Sequence, residues 1–355
     1  MSSSSDRDRV GPGPGSAGRR SAGTAVLLSL LLLAGAARAA DFSWLRGATL
    51  VGLCGYQSRA DAAEQMARAA ADGASVVDIH AGLTGTYENF NAPDSALAMI
   101  SFLAEEGHKR GVKVICYIAG LEIISKEGEH TALKDHPNWA QRDREGNPAL
   151  FDDKAAFWIA PGEEDIWLSP FAGDWLAPYL EIVGRLAASG VDGVYMDIPY
   201  WMTHFEGWGD TWASFDDATV AEFRRRTGLD PFEAKLGDFS DSTFRAWVRF
   251  RMDAIDEFVM KVRDRVKETN PDVAFIVELC DVIAHEYNPF ETSAARGTHL
   301  CARYQAGLLA MRAFAGVRPS WMLTYAARDD WPGDQVAASA NLAFSHLAAG
   351  ASFWE

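Results

Sequence analysis

Residues 190–201 read Gly190-Val191-Asp192-Gly193-Val194-Tyr195-Met196-Asp197-Ile198-Pro199-Tyr200-Trp201. Val191, Val194 and Met196 give this stretch the apolar, partly β-branched character of a buried strand. Asp197 stands where that strand runs out into a loop opened by Pro199 and two aromatics. A carboxylate at the carboxyl end of a parallel strand is how a (β/α) barrel presents an acid to a substrate. The alternative for the same residue is a loop cap or a partner for buried amides.

Outward from this stretch, apolar strands alternate with amphipathic helices. Upstream strands are expected over 48–55, 75–80 and 112–118, with helices through Ala62, Met66 and Ala70, over 96–111 and over 175–189. Between the third strand and the quoted one lies a long excursion, 122–173, carrying Pro137, Pro148, Pro161 and Pro170; a connection of that length in a compact domain is usually functional. Downstream come helices over 216–228 and 242–269. The second places Phe244, Trp247, Val248, Met252, Ile255, Val259, Val262 and Val266 on one face. A fifth strand follows over 273–279. The sixth is expected over 298–303, the seventh over 320–325 and the eighth over 351–355. Helices through Leu308, Met311 and Phe314 and over 335–349 separate these. This α/β alternation implies a (β/α)8 TIM barrel over 40–355, with long loops after strands three and four. The eighth helix is missing, as expected of a fragment of a longer protein.

Residues 1–39 read as a secretory signal peptide. Arg7, Arg9, Arg19 and Arg20 form a basic leader, 25–37 is apolar, and Ala37-Arg38-Ala39 supplies small residues for cleavage. The apolar run falls short of the roughly 20 residues that span a bilayer, so no stable membrane insertion is expected after cleavage. The expected location is secreted or periplasmic. The formal net charge is −16, and removing the leader leaves about −19, which argues against nucleic acid and anionic membranes as partners. Cys54, Cys116, Cys280 and Cys301 are scattered, with no C-x-x-C pair and no zinc-type spacing. Buried free thiols are the expected state.

Glu278 ends the fifth strand in Phe275-Ile276-Val277-Glu278-Leu279, beside the strand that ends in Asp197. Two carboxylates facing one another in a concave site are what glycosidic cleavage requires: one protonates the leaving oxygen and the other attacks, or activates water at, the anomeric carbon. A separation of ~5–5.5 Å implies retention of configuration and ~6.5–9.5 Å implies inversion. Repulsion and burial push the two ionisations apart. The alternative is a structural pair holding loop backbone. His80, closing Asp78-Ile79-His80, is expected to face the site and hydrogen-bond a sugar hydroxyl. His204 follows the fourth strand closely enough to line the same pocket. Trp201 and Trp208 flank Asp197 as platforms for a pyranose ring. Trp139, Trp167, Trp175, Trp212 and Trp331 also fall in or beside loops, where packing onto the barrel is the competing role. No His-x-His pair is present to suggest a metal centre.

Residues 190–201, His136-Pro137-Asn138-Trp139 with Asp143-Arg144-Glu145-Gly146-Asn147, and 275–279 together carry a family likeness. The chain resembles the retaining glycoside hydrolase barrels of the α-amylase, α-galactosidase and α-fucosidase type. It is similar to the uncharacterised hypothetical glycosyl hydrolase families whose barrels precede a β-galactosidase trimerisation domain. The resemblance implies Asp197 as nucleophile and Glu278 as acid/base. There are departures. Tyr195 stands where α-amylases place an Arg, and Arg328-Asp329-Asp330-Trp331 replaces their His-Asp pair after strand seven. Asp329 or Asp330 either supplies the third carboxylate of that pattern, as a substrate-binding group, or caps a loop. The expected function is a secreted, cofactor-free and metal-free glycosidase acting on carbohydrate, with homo-oligomers possible through a missing C-terminal region. A non-catalytic carbohydrate-binding barrel and a metal-dependent hydrolase are the alternatives.

Overall fold

The computed structural model describes residues 41–156, 158–202, 205 and 207–277, together with Leu309, Ala313 and the backbone of 283–286, 320–323 and 352–354. The leader, His204, Glu278, Asp329 and Asp330 lie outside the described residues. So do the strand expected over 298–303 and the helix expected over 335–349.

The chain opens with β1 (Thr49–Leu53), α1 (Arg59–Ala71) and β2 (Val76–Ile79). The Ser58 hydroxyl accepts from the Asp61 amide at 3.2 Å, which starts α1 by satisfying one of its free N–H groups. Ala62, Met66 and Ala69 then recur at helical spacing and are buried. Next come α2 (Tyr87–Asn91), α3 (Asp94–His108) and β3 (Lys113–Ala119). The excursion holds β4 (Glu122–Lys126), α4 (Ala132–Asp135), β5 (Leu150–Phe151) and β6 (Glu163–Trp167). The chain then forms α5 (Gly173–Ala187), β7 (Gly193–Asp197), α6 (Asp217–Thr227) and α7 (Ser242–Thr269). Gly228 ends α6 in the left-handed conformation at φ 72°, where a side chain would be strained. The last strands are β8 (Ala274–Ile276), β9 (Ile283–Glu286), β10 (Ser320–Leu323) and β11 (Ser352–Trp354).

Eight of these strands form one parallel sheet in the order β8-β7-β3-β2-β1-β11-β10-β9. The pairing of β1 with β11, Thr49 opposite Phe353, joins the first strand to the last and curls the sheet as a (β/α)8 barrel requires. Strand periodicity sorts the core into two layers. Leu50, Val76, Ile115, Tyr195, Ala274 and Ile276 pack with Ala48 and with Leu45 of a short 3-10 turn, Ser43–Leu45, into a cluster to which no α-helix contributes, the barrel interior. Their neighbours Val77, Ile79, Val114, Cys116, Ile118, Val194, Met196 and Phe275 meet the helices instead. Along α7, Phe244, Trp247 and Phe258 are fully buried, each stabilising the fold by about 1.5–3 kcal/mol. Among the described residues no helix is long and apolar enough to cross a membrane.

Three sequence expectations are corrected. The strand beside β10 is β9, with Ser320 opposite Ile283, earlier in the chain than 298–303. Its short run, interrupted by His285 and Glu286, carries too little apolar pattern to be distinguished from loop. The excursion is not a loop throughout: β4, β6 and β5 form an antiparallel sheet, with Ile123 opposite Ile166 and Leu150 also opposite Ile166. Cys54 is exposed rather than buried, while Cys116 is buried as expected; both are free thiols.

Candidate active site

Asp197 is the last residue of β7, and the backbone around it is held from β3. The Gly120 amide donates to the Asp197 carbonyl at 2.8 Å and the Leu121 amide to the Ile198 carbonyl at 2.9 Å. A Cβ on residue 120 would sit 2.9 Å from both carbonyl oxygens, so only glycine permits this approach. Ile198 turns into the left-handed region at φ 56°, a costly conformation for a β-branched residue and one that concentrates at functional sites. That turn aims the Ile198 amide back at Asp197 Oδ1, to which it donates at 2.8 Å. The Tyr117 hydroxyl donates to Oδ2 at 3.2 Å. The carboxylate is thereby fixed in direction while staying partly open to solvent.

The same inward-facing positions of β2 and β3 supply the neighbours. His80 follows β2, half-open to solvent, and its Nε2 lies 3.0 Å from Asp78 Oδ2. The imidazole stacks on Tyr117 with centroids 4.6 Å apart and planes 15° from parallel. Tyr117 in turn meets Tyr195 edge-on at 5.8 Å. Burial pulls the His80 imidazole down, but the Asp78 hydrogen bond and the charges of Asp78 and Asp197 together leave it raised. Full burial raises Asp78 against the pull of His80. The two side chains therefore hold a proton to higher pH than an exposed His–Asp pair would. Burial, then the charges of Asp197 and Glu122, lifts the Tyr117 phenol well above its usual range, so it donates and stays neutral.

Two further carboxyls were not anticipated from the sequence. Glu122 of β4 and Asp165 of β6 are 5% and 0% exposed. Glu122 is raised well above the carboxylate range by burial and by the charges of Asp165 and Asp197; burial pushes Asp165 up to about 8. The available signal was an acid at the head of an apolar run, Glu122-Ile123-Ile124, directly after a strand end. Asp165 sits within Glu163-Glu164-Asp165, which reads as a solvated charge run.

The tryptophans expected as platforms serve mainly as framework. Trp201 and Trp208 are only 6% and 8% exposed. The Trp201 indole donates to the Arg251 carbonyl at 2.9 Å, and the Arg251 guanidinium lies 5.5 Å from its ring centroid. Trp208 packs with Phe151, Phe205 and Ile198. Tyr200 and Trp158 present more open aromatic faces, 41% and 38% exposed. Tyr200 leans on Trp167 at 5.4 Å and Trp158 on Phe205 at 5.7 Å. Trp139 is buried, with its indole donating to Asp174 at 2.7 Å and His136 stacked on it at 3.9 Å. The structure brings Asp197 and His80 together around Tyr117, whereas His204, Glu278, Asp329 and Asp330 fall outside the described residues. Among the described residues no three His, Cys, Asp or Glu side chains converge as metal ligands would.

Solved structures share this architecture at low identity. An α-galactosidase from Thermus thermophilus is 14% identical with a TM-score of 0.49, covering 87% of this chain and 58% of its own. This chain therefore spans less than two thirds of that enzyme's length. The glycoside hydrolase domain of PelA from Pseudomonas aeruginosa is 13% identical with a TM-score of 0.45, over 86% of this chain and 92% of its own. A cycloisomaltooligosaccharide glucanotransferase from Paenibacillus sp. is 10% identical with a TM-score of 0.50, over 83% of this chain and 40% of its own. At such identities the likeness bears on fold alone. No curated protein matches the chain. Residues 81–296, a span that contains β3, the excursion and the strand ending in Asp197, match the model described as Glycosyl hydrolase-like 10, and the chain belongs to that family.

Proposed function

We propose that this chain is an exported glycosidase that cleaves O-glycosidic bonds with retention, Asp197 acting as nucleophile and Glu278 as acid/base. The observation that carries the reading is the state of Asp197. It is a partly open carboxylate at the carboxyl end of a barrel strand, held by two donors that favour its charged form. Ala274 and Ile276 face the barrel interior on the strand paired with β7. Glu278 stands two residues past Ile276 in the sequence. In the retaining reaction Asp197 attacks the anomeric carbon while Glu278 protonates the departing oxygen; Glu278 then takes a proton from the water that releases the sugar. His80, half-open and held by its hydrogen bond to Asp78, suits a hydrogen bond to a sugar hydroxyl. Tyr200 and Trp158 offer the faces on which a pyranose would stack. The 1–39 leader supports export.

The test is a screen of aryl glycosides of galactose, fucose, glucose and arabinose, with NMR identification of the first-formed anomer. Turnover with retained configuration is expected, and Asp197→Asn should abolish it while sugar binding persists. A wild type that binds glycans but turns over none of a broad panel would make the protein a carbohydrate-binding barrel. An inverted first product would replace nucleophilic attack by water activation.

A further inference from the structure

The face of the small sheet shared by Glu122 and Asp165 plays no part in the reaction outlined above. In the β4–β6 ladder Glu122 stands opposite Trp167 and Ile124 opposite Asp165. Glu122 and Asp165 are therefore diagonal neighbours on one face, within reach of each other's side chains. Ile123 and Ile166 turn to the other face and join the apolar core. No donor reaches either oxygen of Asp165, or Oε2 of Glu122, in good hydrogen-bond geometry, although the Trp167 and Trp158 indoles face Asp165 and Glu122 respectively. No cation contributes to the balance at either group, and the Trp167 indole offsets burial at Asp165 only in part.

Ionised carboxylates are acceptors only, so two of them facing each other in a dry wall leave three of their four oxygens unsatisfied and two charges uncompensated. One proton changes this, because a protonated carboxyl donates to its neighbour. The groups that face the pair are Asp197 from β7, Tyr117 from β3, and the Trp158 and Trp167 indoles. Of the three carboxyls, Asp197 is the most open and has donors on both oxygens. Its charge costs least.

We propose that Glu122 and Asp165 are positioning residues that share one proton in the wall of the site, so that the pair carries a single negative charge beside an ionised Asp197. The role assigned to Asp197 rests on the glycosidase reading, whereas the shared proton does not. Both carboxyls bind protons more tightly in the fold than in the unfolded chain. Stability from this source is complete below the ordinary carboxylate range and is lost as pH rises through about 8, where the pair gives up its shared proton. In the same interval a new negative charge appears beside Asp197.

Infrared spectra and urea unfolding of the wild type and of Glu122→Gln/Asp165→Asn test this. At neutral pH the wild type should show a carbonyl stretch of a protonated carboxylic acid that fades above pH about 8 and is missing from the double variant. Its urea midpoint should fall from acid to alkaline pH more steeply than that of the double variant. The alkaline limb of kcat/KM, about tenfold per pH unit for one ionisation, should shift in the double variant. Absence of the band difference, or equal slopes of stability against pH, overturns the shared proton. An unmoved alkaline limb overturns the positioning role. If the band and the slope appear but no glycoside is cleaved, the glycosidase reading fails and the proton pair stands. Should the double variant not fold, Glu122→Gln alone keeps a donor facing Asp165, and loss of the band in it decides the same point.

Discussion

At the residue scale the site is a set of fixed donors around one carboxylate. The Tyr117 hydroxyl meets Asp197 Oδ2 and is braced by the stacked His80 ring. Tyr117→Phe removes a hydrogen bond to a charged group, worth about 1.5–3 kcal/mol, so kcat/KM on a cleaved aryl glycoside should fall about ten- to a hundredfold. A loss in KM alone would place Tyr117 in ground-state binding instead. Asp78 holds the His80 proton against the opposing effect of burial. In Asp78→Asn the imidazole pKa, followed by NMR, should drop below that of the wild type. Because His80 is raised in the fold, its contribution to stability is present below its unfolded pKa. That contribution is lost as pH rises through the folded value, so the variant should flatten this part of the pH–stability curve.

At the element scale the junction of β3 with β7 decides where Asp197 points. Gly120 lets the end of β3 run against the Asp197 and Ile198 carbonyls. Gly120→Ala inserts a methyl group with nowhere to go, costing about 1–3 kcal/mol in urea unfolding. It should also depress kcat/KM by more than that destabilisation explains. A useful contrast is the start of α6, where Asp216 accepts from the Thr219 amide at 3.0 Å and from its hydroxyl at 2.6 Å. Asp216→Ala should cost about 1 kcal/mol of stability, as other lost caps do. The loop after β7 is locked onto α7 through Arg251, whose guanidinium lies 5.5 and 5.4 Å from the Trp201 and Trp212 ring centroids. Burial pulls this guanidinium down to about 10, so it remains charged at neutral pH with aromatic faces and the Ala213 carbonyl as its partners. Aromatics beside an acid suggested sugar platforms in the sequence. Two of them serve to clamp the loop, because a large ring next to a long helix buries more area there than at an open mouth.

At the scale of the whole molecule, acidity and barrel closure dominate. A net charge of −16 repels itself in the compact state. Raising ionic strength from about 0.01 M, where charges interact over ~30 Å, to about 0.15 M, where the range is ~8 Å, should raise the urea midpoint. An unchanged midpoint would mean that the excess acids lie too far apart to matter.

What sequence alone determined here is local. The strand ending in Asp197, the amphipathic helices and the α/β alternation all follow from side-chain periods of two and 3.6, which each segment carries within itself. His80 was legible for the same reason, standing one step beyond a short apolar strand. The sixth strand was not, because its run is too short for a period to show. Tertiary structure alone decided the excursion, where β4 pairs with β6 across some forty intervening residues, and with it the burial of Glu122 and Asp165. It also decided which aromatics stay open. Those outcomes depend on what packs against a residue from far along the chain, and no window of neighbouring side chains contains that information.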